Sequence, residues 1–429
     1  MNSPSDIVII GAGASGLTAA SELSNAGIRV VLLEARDRIG GRILTHHTPN
    51  YTVELGAEFI HGRPPETFEL VKMAGLRTAE LKWKMARRKG GQWIEDDPIM
   101  DQVDRLFAKM SMHEAGAELD RSFQEFIDEV DAKPEIKENA LRFVEGFHAA
   151  DPRRISVHSL LKSNEAEEKI EGDRQFRFAE GYDTLVKSIS DGINWKSCNL
   201  HLQAEVAGIN WQEKRVMLKT SAGAEFQSAR ALVTVPLGLL KARKLRFHPA
   251  LPEKEKALKG LEIGPVLRVS LCLNGKFWNE QERLHDVSFI FTDNPQFPTW
   301  WTSNPLPFPF ITAWAAGRHA KALAGLTEEQ RVNRALESLA QILETDLARL
   351  RRELEHGFSH DWQADPYSCG AYSYAAVGGS NAGQELEKPV SDTLFFAGEA
   401  TESRGDNGTV HGAIASGKRA AKAILVTAG

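Results

Sequence analysis

The stretch Ile7-Val-Ile-Ile-Gly-Ala-Gly-Ala-Ser-Gly16, carried on through Leu17 to Glu34 and Arg42, decides the fold. Its first four residues are an apolar run of the kind a buried parallel strand shows. Gly11, Gly13 and Gly16 follow in G-x-G-x-x-G spacing. Gly11 allows a tight turn, Gly13 lets backbone approach a pyrophosphate, and Gly16 lets the next helix lie close on the sheet. That helix runs through the small residues Ala19 and Ala20 to Leu23 and stops at Gly27, and its N-terminus, with Ala14 and Ser15 as candidate cofactor contacts, offers free N–H groups to phosphates. Arg29–Leu33 reads as the second strand, and Glu34 ends it where an acid binds a ribose 2′-hydroxyl. Such an acid suits NAD and FAD alike. The run Ala35-Arg36-Asp-Arg-Ile-Gly-Gly41-Arg42 breaks the tie, because a second glycine pair and arginine suit a pyrophosphate approached from two sides.

Working outward, the 429 residues predict two domains, with 42% hydrophobic and 26% charged residues, as in globular proteins with an ample core. A net charge of −6 argues against non-specific nucleic-acid binding and favours cationic ligands. The first strand begins by Asp6, which leaves no room for a signal peptide, and no apolar run suits a membrane span. Cys198, Cys272 and Cys369 show no metal or redox spacing, and reduced thiols in a cytoplasm are the simplest reading.

Tyr51–Phe59 reads as a strand, and Pro64–Phe178 as largely helical. In that stretch Phe123, Phe126, Ile127 and Val130, and again Leu141, Val144 and His148, fall at helical spacing and are read as core without chemistry. The acid-rich Ser163–Asp173 is read as a solvated face or loop. Leu200–Val206, Arg215–Thr220 and Ala231–Val235 predict short strands, as do segments within Gly264–Trp314. Thr327 and Gln330 form a capping box for a helix running to about His356. His356 and His360 have no third partner, so no metal site is expected. Thr393–Ala397 is a further apolar strand, and a helix from Thr409 to about Val426 repeats the strand–loop–helix pattern at the other end of the chain. A dinucleotide domain assembled from both chain ends is discontinuous: 1–63, 179–263 and 385–429, with 64–178 and 264–384 forming a substrate domain.

The chain resembles the flavin-dependent amine oxidases, which include monoamine oxidases, polyamine oxidases and flavin-dependent histone lysine demethylases. The resemblance rests on Gly11–Gly16, Glu34–Arg42, Glu54-Leu-Gly-Ala-Glu-Phe-Ile-His-Gly62, Gly181-Tyr182 and Val235-Pro-Leu-Gly-Leu-Leu-Lys241. It continues with Lys276-Phe-Trp278, Trp362-Gln-Ala-Asp-Pro-Tyr367, Gly370-Ala-Tyr-Ser-Tyr374, Phe396-Ala-Gly-Glu-Ala-Thr401 and Thr409-Val-His-Gly-Ala413. It implies an α/β fold: a discontinuous FAD-binding, Rossmann-like domain beneath a mixed-sheet and helical substrate domain. Glu34 would hold the adenosine ribose, Arg36 and Arg42 would lie along the dinucleotide, and Val206 would touch the adenine. Gly56, Ala57, Glu58 and Phe59 would border the flavin through their backbone. Gly398, Glu399, Thr409, Val410 and Ala413 would close the ribityl and ring side, with a helix N-terminus stabilising negative charge on the ring.

The implied reaction is hydride removal from the carbon next to a neutral amine, giving an imine, then an aldehyde, with oxygen reduced to peroxide. Tyr372 falls on one wall of the family's aromatic cage and Thr409 on the place of the second, where monoamine oxidases are aromatic and polyamine oxidases have threonine. His61 matches a polyamine-oxidase histidine, and Trp362 a tryptophan beside the flavin. A polyamine-like or secondary amine is therefore favoured over a monoamine. Ala371 stands where monoamine oxidases have their flavin-linking cysteine, which predicts non-covalent FAD. Arg268 stands where the family usually has a lysine, which keeps a dehydrogenase with another acceptor in view. A desaturase of C–C bonds, a flavoprotein scaffold and an amino-acid oxidase, of which His61-Gly-Arg63-Pro64 is a faint echo, are the remaining alternatives.

Overall fold

The computed structural model describes residues 5–94, 98–114 and 119–428. Strand β1 (Ser5–Ile10), helix α1 (Ala14–Asn25) and strand β2 (Val30–Leu33) form the nucleus of an eight-stranded sheet. β1 runs parallel to β2 on one side and to Glu225–Val233 on the other, with Ile7 opposite both Val30 and Arg230. Cys198–His201 extends the parallel part beyond β2, and Leu394–Phe396 lies parallel to Ala231–Val233. The antiparallel strands Arg215–Thr220 and Val206–Gln212, then Arg246–His248, complete the sheet. Alternation along β1 explains why the run is apolar throughout. Ile7 and Ile9 face one core, shared with Leu17, Leu23 and the last helix, while Val8 and Ile10 face another, with Val206, Leu237 and Leu394.

The two ends of the chain meet at one crossing. Helix α1 packs on the terminal helix Val410–Ala428, where a Cβ on Gly417 would fall 2.4 Å from the Ser15 carbonyl. Ser15 Oγ lies 3.1 Å from Ser416 Oγ, and the Ser416 hydroxyl accepts the Gly398 N–H at 2.9 Å. The loop after Leu394–Phe396 is thereby fixed, through Ser416, to the first turn of α1.

A second sheet of seven strands lies elsewhere, in the order Leu354–Asp361, Val266–Leu273, Phe310–Ala316, Thr299–Thr302, Phe289–Thr292, Met85–Lys89, Gln92–Ile94. Val266–Leu273 is buried throughout. Leu267, Val269, Leu271 and Leu273 pack with the helix Glu328–Leu343, which leaves Arg268 on the opposite face. Helices between residues 99 and 169 form a separate apolar cluster around Phe123, Phe126 and Val144.

Several expectations need correction. Tyr51–Phe59 is not one strand: Thr52–Glu54 and Ile60–His61 are separate, because a Cβ on Gly56 would fall 1.9 Å from the Arg42 carbonyl and the chain must turn there. The stretch Pro64–Phe178 also contains the strands Thr78–Glu80, Met85–Lys89 and Gln175–Phe178, which find partners distant in sequence, and Gln92–Ile94, which forms a hairpin with Met85–Lys89; its residues 95–97 and 115–118 lie outside the described residues. The capped helix from Thr327 ends at Leu343, where Glu344 is left-handed at φ 52°; after a short helix, Leu354–Asp361 is a strand that carries both His356 and His360. Ser163–Asp173 includes the end of helix Val157–Lys169, with Ser163 and Ala166 buried.

Candidate functional site

A cavity of about 1220 Å³ begins at the C-terminal end of β1, between that strand and Glu225–Val233, and continues to the second sheet. Gly11, Gly13, Ala14 and Ser15 line its first part, opposite Ala35, Gly41 and Arg42. The backbone shows why glycine is needed. Gly11 has φ +108°, and a Cβ there would meet Thr234 Oγ1 at 2.7 Å. Gly13 and Gly41 approach so closely that a Cβ on Gly41 would lie 3.4 Å from the Gly13 Cα. Gly16, expected among the cofactor contacts, does not line the cavity: a Cβ there would fall 1.9 Å from the Gly11 carbonyl, so its role is helix-to-turn packing.

Glu34 is buried at the end of β2 and accepts the Ala12 N–H at 2.8 Å and the Arg36 N–H at 2.9 Å. A carboxylate so held keeps acceptor capacity for a sugar hydroxyl. Arg36 is committed elsewhere, in a bidentate pair with Asp365 at 2.6 and 3.0 Å, and its guanidinium lies over the rings of Trp362 and Tyr367. Burial alone would raise the Asp365 carboxyl, but hydrogen bonds from His360 and Arg36 outweigh it and hold the group far below the carboxylate range. Arg38 ties the turn itself, donating to the carbonyls of Ile39, Gly41 and Ile43.

The middle of the cavity is organised by Glu399. One of its oxygens pairs with Arg42 at 2.8 Å, and the other accepts from the Ser373 hydroxyl at 2.6 Å and the Gly408 N–H at 3.0 Å. Arg42 donates to the Ala371 carbonyl as well. Thr409 caps the terminal helix: its hydroxyl accepts the Gly412 N–H at 3.0 Å and donates to the Asp406 carbonyl. Thr409, Val410 and Ala413 line the cavity, so two helix N-termini, here and at Ala14, open onto it.

The far part is aromatic. Tyr372 donates its hydroxyl to the Phe147 carbonyl at 2.7 Å, and burial raises its phenol well above the usual range. Trp362 is buried and donates Nε1 to the Leu55 carbonyl at 2.9 Å. His61 is held below the histidine range, at about 4, by burial and by the charge of His411, and is neutral at physiological pH. Gly56, Ala57, Glu58, Phe59, Val206, Arg268 and Gly398 also line the cavity. Every other residue singled out from the sequence as a site candidate therefore converges on one space.

The sequence reading missed other parts of the wall. His148, which its spacing assigns to the core, faces the cavity, and so does Phe147, on which the sequence reading is silent; Phe147 stands edge-on to His61 at 5.4 Å, and burial lowers His148 to about 4. Glu167, read as a solvated acid, lines it too, and burial with the nearby Asp406 charge lifts its carboxyl to about 7. Trp301 and Trp314, 5.3 Å apart, complete the aromatic lining. The clearest omission is the Glu58 side chain, which accepts from Arg268 Nη2 at 2.5 Å and from Trp301 Nε1 at 3.0 Å. An acid and a base at two departures from an otherwise apolar setting was the available signal.

The sequence profile of flavin containing amine oxidoreductases matches residues 14–425. Polyamine oxidase 3 of Oryza sativa subsp. japonica is 30% identical over 97% of this chain and 88% of its own length. The human lysine-specific histone demethylase 2 is 27% identical over 97% of this chain, which spans 53% of that protein. Among solved structures, wild-type putrescine oxidase bound to putrescine matches with TM-score 0.81 at 22% identity, over 99% of both chains. Cyclohexylamine oxidase from Brevibacterium oxydans IH-35A matches with TM-score 0.81 at 20% identity, over 99% of this chain and 100% of that one.

Proposed function

The chain belongs to the flavin-containing amine oxidoreductases, a premise from which we propose that it oxidises polyamine-like or secondary amines with non-covalently held FAD, reducing oxygen to peroxide. It is a flavin-dependent oxidoreductase acting on CH–NH bonds. The observation that carries the finer reading is the continuity of the cavity. It runs from the glycine turn and Glu34, past two helix N-termini, to an aromatic chamber around Tyr372. Its volume exceeds the usual range for small-ligand pockets, as an extended dinucleotide with a substrate beside it requires.

The residues fit that cofactor. Gly13 and Gly41 leave a backbone cradle that side chains would fill, the Ala14 helix presents N–H groups to a pyrophosphate, and Glu34 suits a ribose without a 2′-phosphate. Segments 1–63, 179–263 and 385–429 would form the cofactor domain, and 64–178 with 264–384 the substrate domain. A bound flavin supplies the hydride acceptor. Tyr372 and Trp314 offer ring faces that orient an amine, and a neutral His61 adds no competing positive charge. Asp406 supplies a carboxylate and Glu167 a carboxyl that ionises near neutral pH, both lining the cavity, which supports a substrate with a second nitrogen. Ala371 carries no sulfur for a covalent link.

One observation favours a second reading, electron transfer to an acceptor other than oxygen. Arg268 donates to the Gly56 carbonyl at 3.0 Å and to Glu58, so its charge is held in place. Anaerobic mixing with putrescine, spermidine or benzylamine, followed by air, tests both. Faster bleaching of the flavin band by the first two, with peroxide on aeration, is the expected result. Bleaching by benzylamine alone would overturn the substrate reading, and bleaching without peroxide would select the second.

A further inference from the structure

Behind the Gly56–Phe59 turn Arg268 belongs to a buried cluster in which the charges of Glu58 and Arg177 serve no step above. Glu58 is 7% exposed, Arg268 2% and Arg177 3%. Arg177 sits on the strand Gln175–Phe178, does not line the cavity, and reaches Glu58 Oε1 at 3.1 Å without hydrogen-bond alignment. Its Nη1 donates to the Asn304 carbonyl at 2.8 Å, and its guanidinium lies 4.8 Å from the centre of the Phe59 ring. Arg268 Nε, and Nε and Nη2 of Arg177, are buried donors with no hydrogen-bond partner.

Such an assembly is a poor stabiliser. Burying three charges costs desolvation that their attraction repays only with full hydrogen bonding, and here three donors go unpaired. Apolar side chains of the same volume would serve the fold at least as well. The cluster nevertheless has one property an apolar patch lacks. Two guanidinium groups and one carboxylate sum to +1, and arginine does not lose its proton in proteins. Glu54, nearby, is pushed up to about 8 by burial and adds no full charge at neutral pH. Lys276 donates to Asn304 Oδ1 at 2.8 Å and to the Leu306 carbonyl at 2.9 Å, and not to Glu58.

We propose that Arg268, Glu58 and Arg177 form a fixed cluster of net charge +1 that sets how readily the bound flavin accepts electrons, with Glu58 and Arg177 as positioning residues. The proposal rests on the flavin reading above. A positive charge in a low-dielectric wall favours any process that brings negative charge to the neighbouring cavity. Glu58 lowers that field and Arg177 restores it, so removing either charge must act in opposite directions.

The test is the flavin midpoint potential, measured by dye equilibration, in the E58Q, R177M and R177K variants of the flavin-loaded protein. Glu58→Gln should move the potential positive and Arg177→Met negative, each changing the reduced-to-oxidised ratio at a fixed potential about tenfold. Arg177→Lys should stay near wild type. A purely structural role would loosen flavin binding in both without opposite shifts. An E58Q potential equal to or below wild type, with flavin bound, overturns the proposal even where R177M fails to fold. Wild-type protein that neither carries nor takes up flavin overturns the cofactor reading, and this proposal with it.

Discussion

The two ends of the cavity are built by opposite means. The end at β1 is made of backbone: glycines at 11, 13 and 41, the N-terminus of α1, and Glu34 held by two backbone N–H groups, all within the 31 residues from Gly11 to Gly41. The end around Tyr372 is made of side chains from distant segments, including Phe59, Phe147, Arg268, Trp301, Trp314 and Trp362. A backbone cradle recognises what every dinucleotide shares, phosphate and ribose, and tolerates no added atom. A wall of side chains adapts residue by residue and sets which molecule reacts. Substitutions at the first end should therefore act on folding and cofactor retention together, and those at the second on turnover.

The largest expected effect breaks the backbone end. Gly16→Ala would bring a Cβ to 1.9 Å from the Gly11 carbonyl and 2.9 Å from Thr234 Oγ1. Backbone cannot yield as a side chain does, so a loss beyond the ~1–3 kcal/mol of ordinary overpacking is expected in denaturant unfolding, with flavin lost on purification. Wild-type stability in this variant would show that the close approach does not govern the turn. Next comes Glu34→Ala. It strips charged acceptors from the Ala12 and Arg36 N–H groups, each worth ~1.5–3 kcal/mol, so FAD should dissociate ~10- to 100-fold more readily in a retention assay.

The same contrast explains what sequence reading reached. The cradle was legible because its geometry is local: strand, glycine turn, helix and acid follow one another, and each residue's task depends on its neighbours in the chain. The aromatic wall was not legible from spacing. Val144 and His148 share a helical stripe, yet Val144 is core and His148 lines the cavity. Which side faces a chamber depends on what packs opposite, and that is decided by strands such as Met85–Lys89, which pairs with Phe289–Thr292, about 200 residues on. Tyr372, Thr409, His61 and Trp362 were reached only through resemblance. Even resemblance did not show that Glu58 answers Arg268, since it bears on the backbone at 56–59 and not on that carboxylate.

A smaller effect sharpens the side-chain end. Tyr372→Ala removes a ring face from the chamber, and cation–π contacts of ~0.5–2 kcal/mol translate to a loss of up to ~30-fold in kcat/KM for amines. Tyr372→Phe keeps the face and loses only the hydroxyl bond to the Phe147 carbonyl, so it should stay within about fivefold of wild type. Equal losses in both variants would mean that the hydroxyl, and not the ring, carries the contribution.

The smallest effect lies outside the cavity wall, at Glu54. Glu54 accepts the Tyr182 N–H at 2.6 Å and the Thr45 hydroxyl at 2.7 Å, and burial keeps it protonated in the folded chain up to about pH 8 against an ordinary value of 4.5. Folding is therefore coupled to proton uptake across that window, and the stability this group contributes is present below 4.5 and lost as the pH rises toward 8. Glutamine keeps the Tyr182 N–H contact through its one carbonyl oxygen, presents its amide N–H to the Thr45 hydroxyl oxygen in place of the second acceptor, and has no proton to lose. Urea unfolding of wild type and Glu54→Gln at pH 5 and pH 8 should show the variant gaining on wild type by ~1 kcal/mol at the higher pH, the group being partly exposed. A difference that does not change with pH would show that Glu54 takes up no proton on folding.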